Sequence, residues 1–228
     1  MNVAMHHIEN TTIDGVIAAW QFENNVLDSV GSNDGTLYNG SYVSGVVDDC
    51  INLTSTTSSR VEVSGTNFNF SDGVTDSSFS ISAWFKINAT GSWAVVSKRT
   101  TNANKCWDLF NDSNKLAFSV YNNSGVAFQA LYYHTLTTNT WYYVTATYDG
   151  TTLKLYVDST LEADNAVKGS YDVMRSNSSP VKLSGIASNP SYSGKVHLDE
   201  VFIFNKALSQ DEINFIYDEQ LAGNDILA

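Results

Sequence analysis

The chain has 228 residues, with 12 basic and 24 acidic side chains and a formal net charge of −12. Hydrophobic residues make up 43% of it, including 12 Tyr, 11 Phe and 5 Trp, which is enough to build a core and excludes an intrinsically disordered chain. The negative charge argues against nucleic acid as a partner, and no apolar run reaches the roughly 18–20 residues that a membrane-spanning helix requires.

The polar start of the chain has no basic segment ahead of an apolar one, so no secretory signal is visible. Either a signal was removed before residue 1 or the protein reaches its place of action without one, and the initial Met favours the second. We expect residues 1–14 to form an N-terminal arm, residues 15–221 a single domain and residues 222–228 a C-terminal tail.

From Gly15 onward, short runs rich in Val, Ile, Thr and aromatic residues alternate with Gly, Asn, Asp and Ser. The run FSISAWFKI at 79–87 alternates apolar and polar side chains at its start, which is typical of a strand with one buried face. The DGTT sequence at 149–152 predicts a hairpin turn, because Asp-Gly tolerates positive φ. Nine or more such runs, with only two prolines, predict an antiparallel sandwich or barrel.

One helix is predicted near the C-terminus, in LSQDEINFIYDEQL. Ser209 and Glu212 have the spacing of a capping box, in which each side chain bonds the other residue's backbone N–H. Apolar residues at helical spacing should dock this helix on the sandwich. They are Ile213, Ile216, Tyr217 and Leu221.

The two cysteines, Cys50 and Cys106, belong to no CxxC metal motif. They form either one disulfide or two buried thiols, and the sequence leaves both alternatives open.

Four ordered segments resemble one family. They are GVIAAWQFENNVLDSVGSNDGTLYNGSYVSG, FSISAWFKI, NTWYYVTATYDGTTLKLYVDSTLE and GKVHLDEVFIFNKALSQDEINFIYDEQL. Together they resemble a laminin-G-like domain of the concanavalin A-like lectin/glucanase superfamily. The resemblance implies an all-β fold: a two-sheet antiparallel jelly-roll sandwich with one short C-terminal helix. Function varies within such a fold, so the resemblance does not settle activity.

The resemblance also implies a structural Ca²⁺ between the loop after Asp28 and the acidic residue of the closing strand, which here is Asp199. A polar, Gly-rich loop can supply the oxygen ligands that Ca²⁺ requires. The expected ligands are Asp28, Asn33 and Asp199, with loop carbonyls completing the shell. Alternatively, Asp28 caps a turn and Asp199 caps a strand end.

No catalytic residues are predicted. The acidic pairs Asp48-Asp49 and Asp199-Glu200 are adjacent in sequence, and neighbours on a regular strand point to opposite faces, so neither pair should converge. Glycoside hydrolysis needs two carboxyl groups facing one bond. The superfamily's glucanases carry an E-x-D-x-x-E-type run that this chain lacks, so the protein is predicted not to be an enzyme.

Sugars bind proteins by stacking on aromatic rings, while amide and hydroxyl groups fix their orientation. Three tryptophans, Trp20, Trp84 and Trp141, lie in strand-like runs and are assigned to packing. The rings that interrupt polar segments are predicted to be exposed and to bind a ligand. They are Trp93, Trp107, Tyr132, Tyr133 and Tyr192.

These observations predict a non-catalytic module for binding, adhesion or surface decoration, with a cell-surface or extracellular glycan as partner. Because no export signal is visible, a phage virion protein, either a capsid decoration or a tail appendage, is the first interpretation. Its further partners would be other virion proteins, and a homo-oligomer is possible on this reading. The alternative is a carbohydrate-binding module of an extracellular bacterial enzyme or adhesin. Neither interpretation includes membrane insertion.

Overall fold

A computed structural model of the chain describes residues 13–54, 58–64, 67–101, 103–112, 115–132, 134–165, 172–186, 192 and 194–227. The strands in these ranges are β1 (Val16–Trp20), β2 (Gly35–Tyr38), β3 (Ser41–Ser44), β4 (Asp49–Leu53), β5 (Arg60–Val63), β6 (Phe79–Ile87), β7 (Ala94–Arg99), β8 (Lys105–Asp112), β9 (Lys115–Tyr121), β10 (Ala127–Tyr132), β11 (Trp141–Tyr148), β12 (Leu153–Val157), β13 (Thr160–Asn165), β14 (Val181–Leu183) and β15 (Val196–Phe204). The helix is α1 (Gln210–Leu221).

The strands form two antiparallel sheets. The first has the order β13-β12-β11-β6-β15-β4-β3, and β1 pairs with the second half of β15. The second sheet has the order β10-β9-β8-β7-β14-β5-β2. Strands far apart in sequence lie side by side in both sheets, as in a jelly roll. The predicted all-β sandwich with one C-terminal helix is therefore confirmed.

The main core lies between the two sheets and follows the period of two within each strand. In β6, Phe79, Ile81 and Phe85 point into this core, as the alternation in the sequence predicts. The polar residues between them do not face water. The Ser80 side chain is buried, and its hydroxyl is satisfied by two hydrogen bonds: it donates to Lys206 O at 2.8 Å and accepts from Leu208 N at 2.9 Å. The segment between β15 and the helix thus covers the outer face of the first sheet at Ser80.

Helix α1 begins where the sequence predicts. The Ser209 side chain accepts a hydrogen bond from Glu212 N, and the Glu212 carboxylate accepts one from Ser209 N at 2.9 Å. This capping box satisfies backbone N–H groups that have no partner within the helix.

The docked face of α1 differs from the prediction at one position. Ile213 and Ile216 are buried, but Leu221 is 56% exposed and Gln220 is buried in its place. Residue 220 is about two helical turns after residue 213, so the two residues lie on the same face of the helix. Residue 221 is rotated a further 100° about the helix axis and leaves that face. The face also includes Tyr217, whose ring stacks on Trp84 with centroids 5.6 Å apart.

Both cysteines are buried free thiols, so the second of the two alternatives holds. Burial raises the pKa of Cys50 to about 12 and that of Cys106 to about 11. Thiols with such pKa values remain protonated at neutral pH and react slowly.

The residues after α1 fold back on the domain. Ile226 and Leu227 are half-buried against the hydrophobic cluster beneath the helix. The end of the predicted tail therefore packs on the domain while residues 222–225 are exposed, and the arm predicted at 1–14 lies mostly outside the described residues. None of the described helices is long and apolar enough to cross a membrane.

The capping box leads to a first prediction. We expect Ser209→Ala to lower the free energy of unfolding by about 1 kcal/mol, because it removes the acceptor for Glu212 N. Chemical denaturation measures this loss. Ser41→Ala, at an exposed position in β3, is the matched control and should change the free energy by less than about 0.5 kcal/mol. Equal losses in the two variants would contradict a capping role.

Candidate functional site

The two tryptophans predicted to bind a ligand are buried. Trp93 is 2% exposed and packs beside Phe85, with ring centroids 5.6 Å apart. Trp107 is 0% exposed, and its Nε1 donates to Phe68 O at 3.1 Å. The predicted exposure is wrong for both. The sequence did carry a signal for the burial of Trp107. Trp107 and Leu109 are two positions apart in β8, so both side chains lie on its inner face.

The predicted tyrosines do not form one surface. Tyr132 is half-buried against the main core, with its ring 5.0 Å from that of His134. Tyr192 is half-buried on the opposite face of the second sheet, beside Phe110. Tyr133 lies outside the described residues. Binding by these rings stays a prediction, and the two described tyrosines cannot share one ligand surface.

The Asp28 carboxylate organises the loop that follows β1. Its Oδ1 accepts from Ala19 N at 3.0 Å and from Val30 N at 3.1 Å. Its Oδ2 accepts from the backbone N–H and the side-chain amide of Asn33, at 3.0 and 2.8 Å. These four bonds fit the alternative role, a turn cap.

Asp199 instead belongs to a cluster of three carboxylates. Glu23, Asp199 and Glu200 each place an oxygen within 4.8 Å of the others. The sequence argument that Asp199 and Glu200 cannot converge is therefore wrong. The register of β15 shifts between Asp199 and Phe202, and Glu200 has a φ of 50°. This β-bulge removes the alternation on which that argument depended.

The fold fixes each carboxylate in place. The Oδ2 of Asp199 accepts from Val46 N at 2.7 Å and Val47 N at 3.1 Å. The Oε2 of Glu200 accepts from the Gln220 amide at 2.9 Å. Gln220 in turn accepts from Trp84 Nε1 at 3.1 Å, which connects the cluster to α1.

Two oxygens of the cluster are buried without a hydrogen-bond partner among the described residues. They are Oδ1 of Asp199 and Oε1 of Glu200, both on residues that are 0% exposed. Buried polar atoms normally have a partner. Carboxylate oxygens are also the ligands that Ca²⁺ prefers, so this donor set fits a hard divalent cation.

The cluster has unusual proton affinities. Burial raises the pKa of Asp199 to about 7. Burial and the neighbouring Asp199 charge raise the pKa of Glu200 to about 9. Burial, followed by the charges of Asp48, Asp49 and Asp225, raises the pKa of Glu23. Without a cation, the cluster therefore holds protons at neutral pH.

A row of side chains from four neighbouring strands lies on the outer face of the first sheet. Trp141 on β11 lies opposite Lys86 on β6, Lys86 opposite His197 on β15, and His197 opposite Asn52 on β4. All four side chains are half-buried. We call this set the Trp141 row.

Contacts within the row hold its side chains together. Lys86 Nζ lies 4.6 Å from the centroid of the Trp141 indole, and the His197 ring meets the same indole edge-on at 6.4 Å. Burial, together with the charge of Lys86, lowers the pKa of His197 to about 4, so the imidazole is neutral at neutral pH. The assignment of Trp141 to packing alone missed its partial exposure, for which the sequence carries no signal.

The proton affinities of the cluster lead to a prediction. The folded-state pKa values of Asp199 and Glu200 exceed the unfolded values of about 3.9 and 4.3. The folded protein thus binds more protons than the unfolded chain between these limits, and the free energy of unfolding falls as pH rises. We expect the melting temperature in EDTA to decrease from pH 5 to pH 9. The double variant Asp199→Asn/Glu200→Gln should flatten this slope, and an unchanged slope would contradict the assignment.

Comparison with solved structures shows the same fold in toxin binding domains. The binding domain of Paraclostridial Mosquitocidal Protein 1 matches with a TM-score of 0.74 and 18% identity, over 90% of this chain and 52% of that chain. The botulinum neurotoxin serotype D binding domain matches with a TM-score of 0.70 and 20% identity, over 91% and 51%. The serotype D ligand binding domain in complex with N-acetylneuraminic acid matches with a TM-score of 0.69 and 20% identity, over 90% and 51%.

The chain thus spans about half the length of each of these binding domains. At these identities the likeness shows the fold. A search of curated protein sequences finds no match. The family model Laminin_G_3, described as concanavalin A-like lectin/glucanases superfamily, matches residues 55–214, which is most of the chain and includes β5 to β15. The resemblance seen in the sequence is confirmed, and the chain belongs to this family.

Proposed function

We propose that this domain is a non-catalytic glycan-binding module that works on a cell surface or outside the cell. The observation that carries the proposal is the Trp141 row, in which a half-buried indole lies beside an ammonium and an imidazole, with an amide on the strand next to the imidazole. The three similar solved structures are all binding domains, which supports binding over catalysis.

The chemistry of the row suits a sugar. An indole presents a flat apolar surface to the C–H face of a pyranose ring. Lys86 donates hydrogen bonds, and the neutral His197 can contribute Nε2, since its Nδ1 is buried. The four side chains lie on four adjacent strands, so their relative positions are fixed before binding, and a preorganised site loses less entropy on binding.

We further propose that the cluster of Glu23, Asp199 and Glu200 holds a structural Ca²⁺. Of the three ligands predicted from the sequence, this set retains Asp199. Glu23 and Glu200 take the places of Asp28 and Asn33, which hydrogen-bond to each other. A bound cation would partner the two buried oxygens and keep the carboxylates ionised. Its effect would reach α1 through Gln220.

The virion role and a homo-oligomer stay predictions. The similar solved structures are binding domains of toxins, which favours the alternative interpretation, a binding module of a larger extracellular protein. These similar domains are about twice as long as this chain, which also favours a module that acts beside another domain.

A glycan array tests the proposed function. It should include neutral glycans and glycans that end in N-acetylneuraminic acid, since one similar structure contains that sugar. We expect Trp141→Ala and Lys86→Ala each to weaken binding at least tenfold, which corresponds to about 1.4 kcal/mol. Tyr38→Ala is the matched control, since that ring is 38% exposed on the second sheet, beneath the Arg60 guanidinium.

Melting curves show whether each variant is folded. Unchanged affinity in folded Trp141→Ala and Lys86→Ala would exclude the row as the binding surface. An array on which the wild type binds no glycan would overturn the proposed function.

The calcium proposal predicts metal-dependent stability. At pH 8, Ca²⁺ at 100 times its Kd should add about 2.7 kcal/mol to the free energy of unfolding. Calorimetry in EDTA and in Ca²⁺ measures this difference. We expect Asp199→Asn/Glu200→Gln to abolish this difference. Asp28→Asn should lower stability both in EDTA and in Ca²⁺ and leave the difference between them unchanged.

If Asp28→Asn abolished the Ca²⁺ effect and Asp199→Asn/Glu200→Gln kept it, Asp28 would be the ligand, as the sequence predicted. The absence of any Ca²⁺ effect on the wild type would refute the calcium proposal.

A further inference from the structure

A groove of about 280 Å³ lies where the β11–β12 hairpin meets the connection between β15 and α1. Its floor includes Thr147 and Tyr156, and its walls include Thr152 and the connecting residues 207–210. None of the residues that line it belongs to the carboxylate cluster or to the Trp141 row. The volume is just below the roughly 300–1,000 Å³ of most ligand pockets, so the groove suits one small ring.

The fold holds the floor of this groove in one arrangement. Thr147 and Lys154 are direct cross-strand partners on β11 and β12, so their side chains share one face. Tyr156 is likewise opposite Leu161, and both line the groove. The floor is therefore built from paired strands, which position side chains more rigidly than loops do.

The walls are also fixed by hydrogen bonds. Ser80 holds the connecting segment through Lys206 O and Leu208 N. Gln210 donates from Nε2 to Ser159 O at 2.8 Å, which fastens the start of α1 to the turn after β12. On the other side, Asp149 Oδ1 accepts from Thr151 N and Thr152 N, both at 2.8 Å. The groove is thus formed before any ligand arrives.

Its lining combines short polar groups with an apolar surface. Hydroxyls come from Thr147 and Thr152, and Gln210 supplies its side-chain carbonyl oxygen, since its Nε2 already donates to Ser159 O and Asn214 Oδ1. The Leu161 side chain, which is 43% exposed, and the Tyr156 ring supply the apolar part. This combination matches a ligand with many hydroxyl groups and one apolar face.

The charges in the groove select against an ionic ligand. Asp149 and Lys154 both line it, and their opposite charges cancel. A carboxylate accepts hydrogen bonds from neighbouring sugar hydroxyls, and an ammonium donates to sugar oxygens. With no net charge, the groove offers an ionic ligand no overall electrostatic attraction.

We propose that this groove binds one uncharged pyranose ring. The inference rests on the proposed glycan-binding function and adds to it a second site of different shape: the Trp141 row is a flat surface, whereas the groove encloses a single ring.

Nuclear magnetic resonance titration tests this inference directly. The probes are the methyl glycosides of galactose, glucose, mannose and N-acetylglucosamine, each added to ¹⁵N-labelled full-length chain. We expect at least one probe to shift the backbone amides of residues 147–156 and 207–210, with an affinity of about 1 mM, a free energy near −4.1 kcal/mol. Lys154→Ala and Gln210→Ala should each weaken that binding at least fivefold. Asp211→Ala is the matched control: it is exposed in the first turn of the same helix and does not line the groove.

The outcomes separate this inference from the proposed function. Shifts confined to Trp141, Lys86, His197 and Asn52 would overturn the groove and leave glycan binding intact. So would an array on which the wild type binds glycans while none of the four probes shifts the groove. Equal binding by Lys154→Ala, Gln210→Ala and Asp211→Ala would likewise overturn it. Absence of binding in both the titration and the array would overturn the inference together with the proposed function.

Discussion

The β-bulge at Asp199 and Glu200 is the constraint on which the rest of the structure depends. Before it, β15 pairs with β4, and after it β15 pairs with β1, while β6 lies along the other edge on both sides. One closing strand therefore joins segments from the beginning and the end of the chain. The bulge allows this exchange of partners, because an extra residue changes the register without ending the strand.

The same bulge places two carboxylates where water does not reach them. Ionised carboxylates are costly to bury unless they are paired, hydrogen-bonded or bound to a metal. Here Asp199 is bonded to the backbone of Val46 and Val47, and Glu200 to Gln220, so each retains one oxygen for a proton or a cation. If the cluster holds the proposed Ca²⁺, the choice between proton and cation couples the stability of the domain to pH and to metal concentration.

The outer face of the first sheet then divides into three regions. Helix α1 covers the middle of it, over Trp84, Tyr143 and Phe202. The Trp141 row lies across the strands on one side of the helix-covered cluster, and the groove lies beside the start of the helix. By contrast, the inner faces of both sheets are filled by core side chains, including Trp93 and Trp107. A ligand therefore meets this face only where the helix leaves the sheet uncovered, and there the polar side chains are already fixed by cross-strand pairing.

The sequence by itself determined the features that depend on near neighbours along the chain. Alternation in β6, the Asp149–Thr152 turn and the capping box at Ser209 each involve residues within a few positions, where the backbone period decides the outcome. The order of these segments also determined the family. Only the tertiary structure decided that Asp199 and Glu200 converge, that Trp141 remains half-exposed and that Gln220 is buried instead of Leu221. The physical reason is that burial and convergence depend on which distant segment covers a given face. For these residues the covering segments are β1, the turn before β4 and helix α1, which are brought together only when β15 closes the sheet.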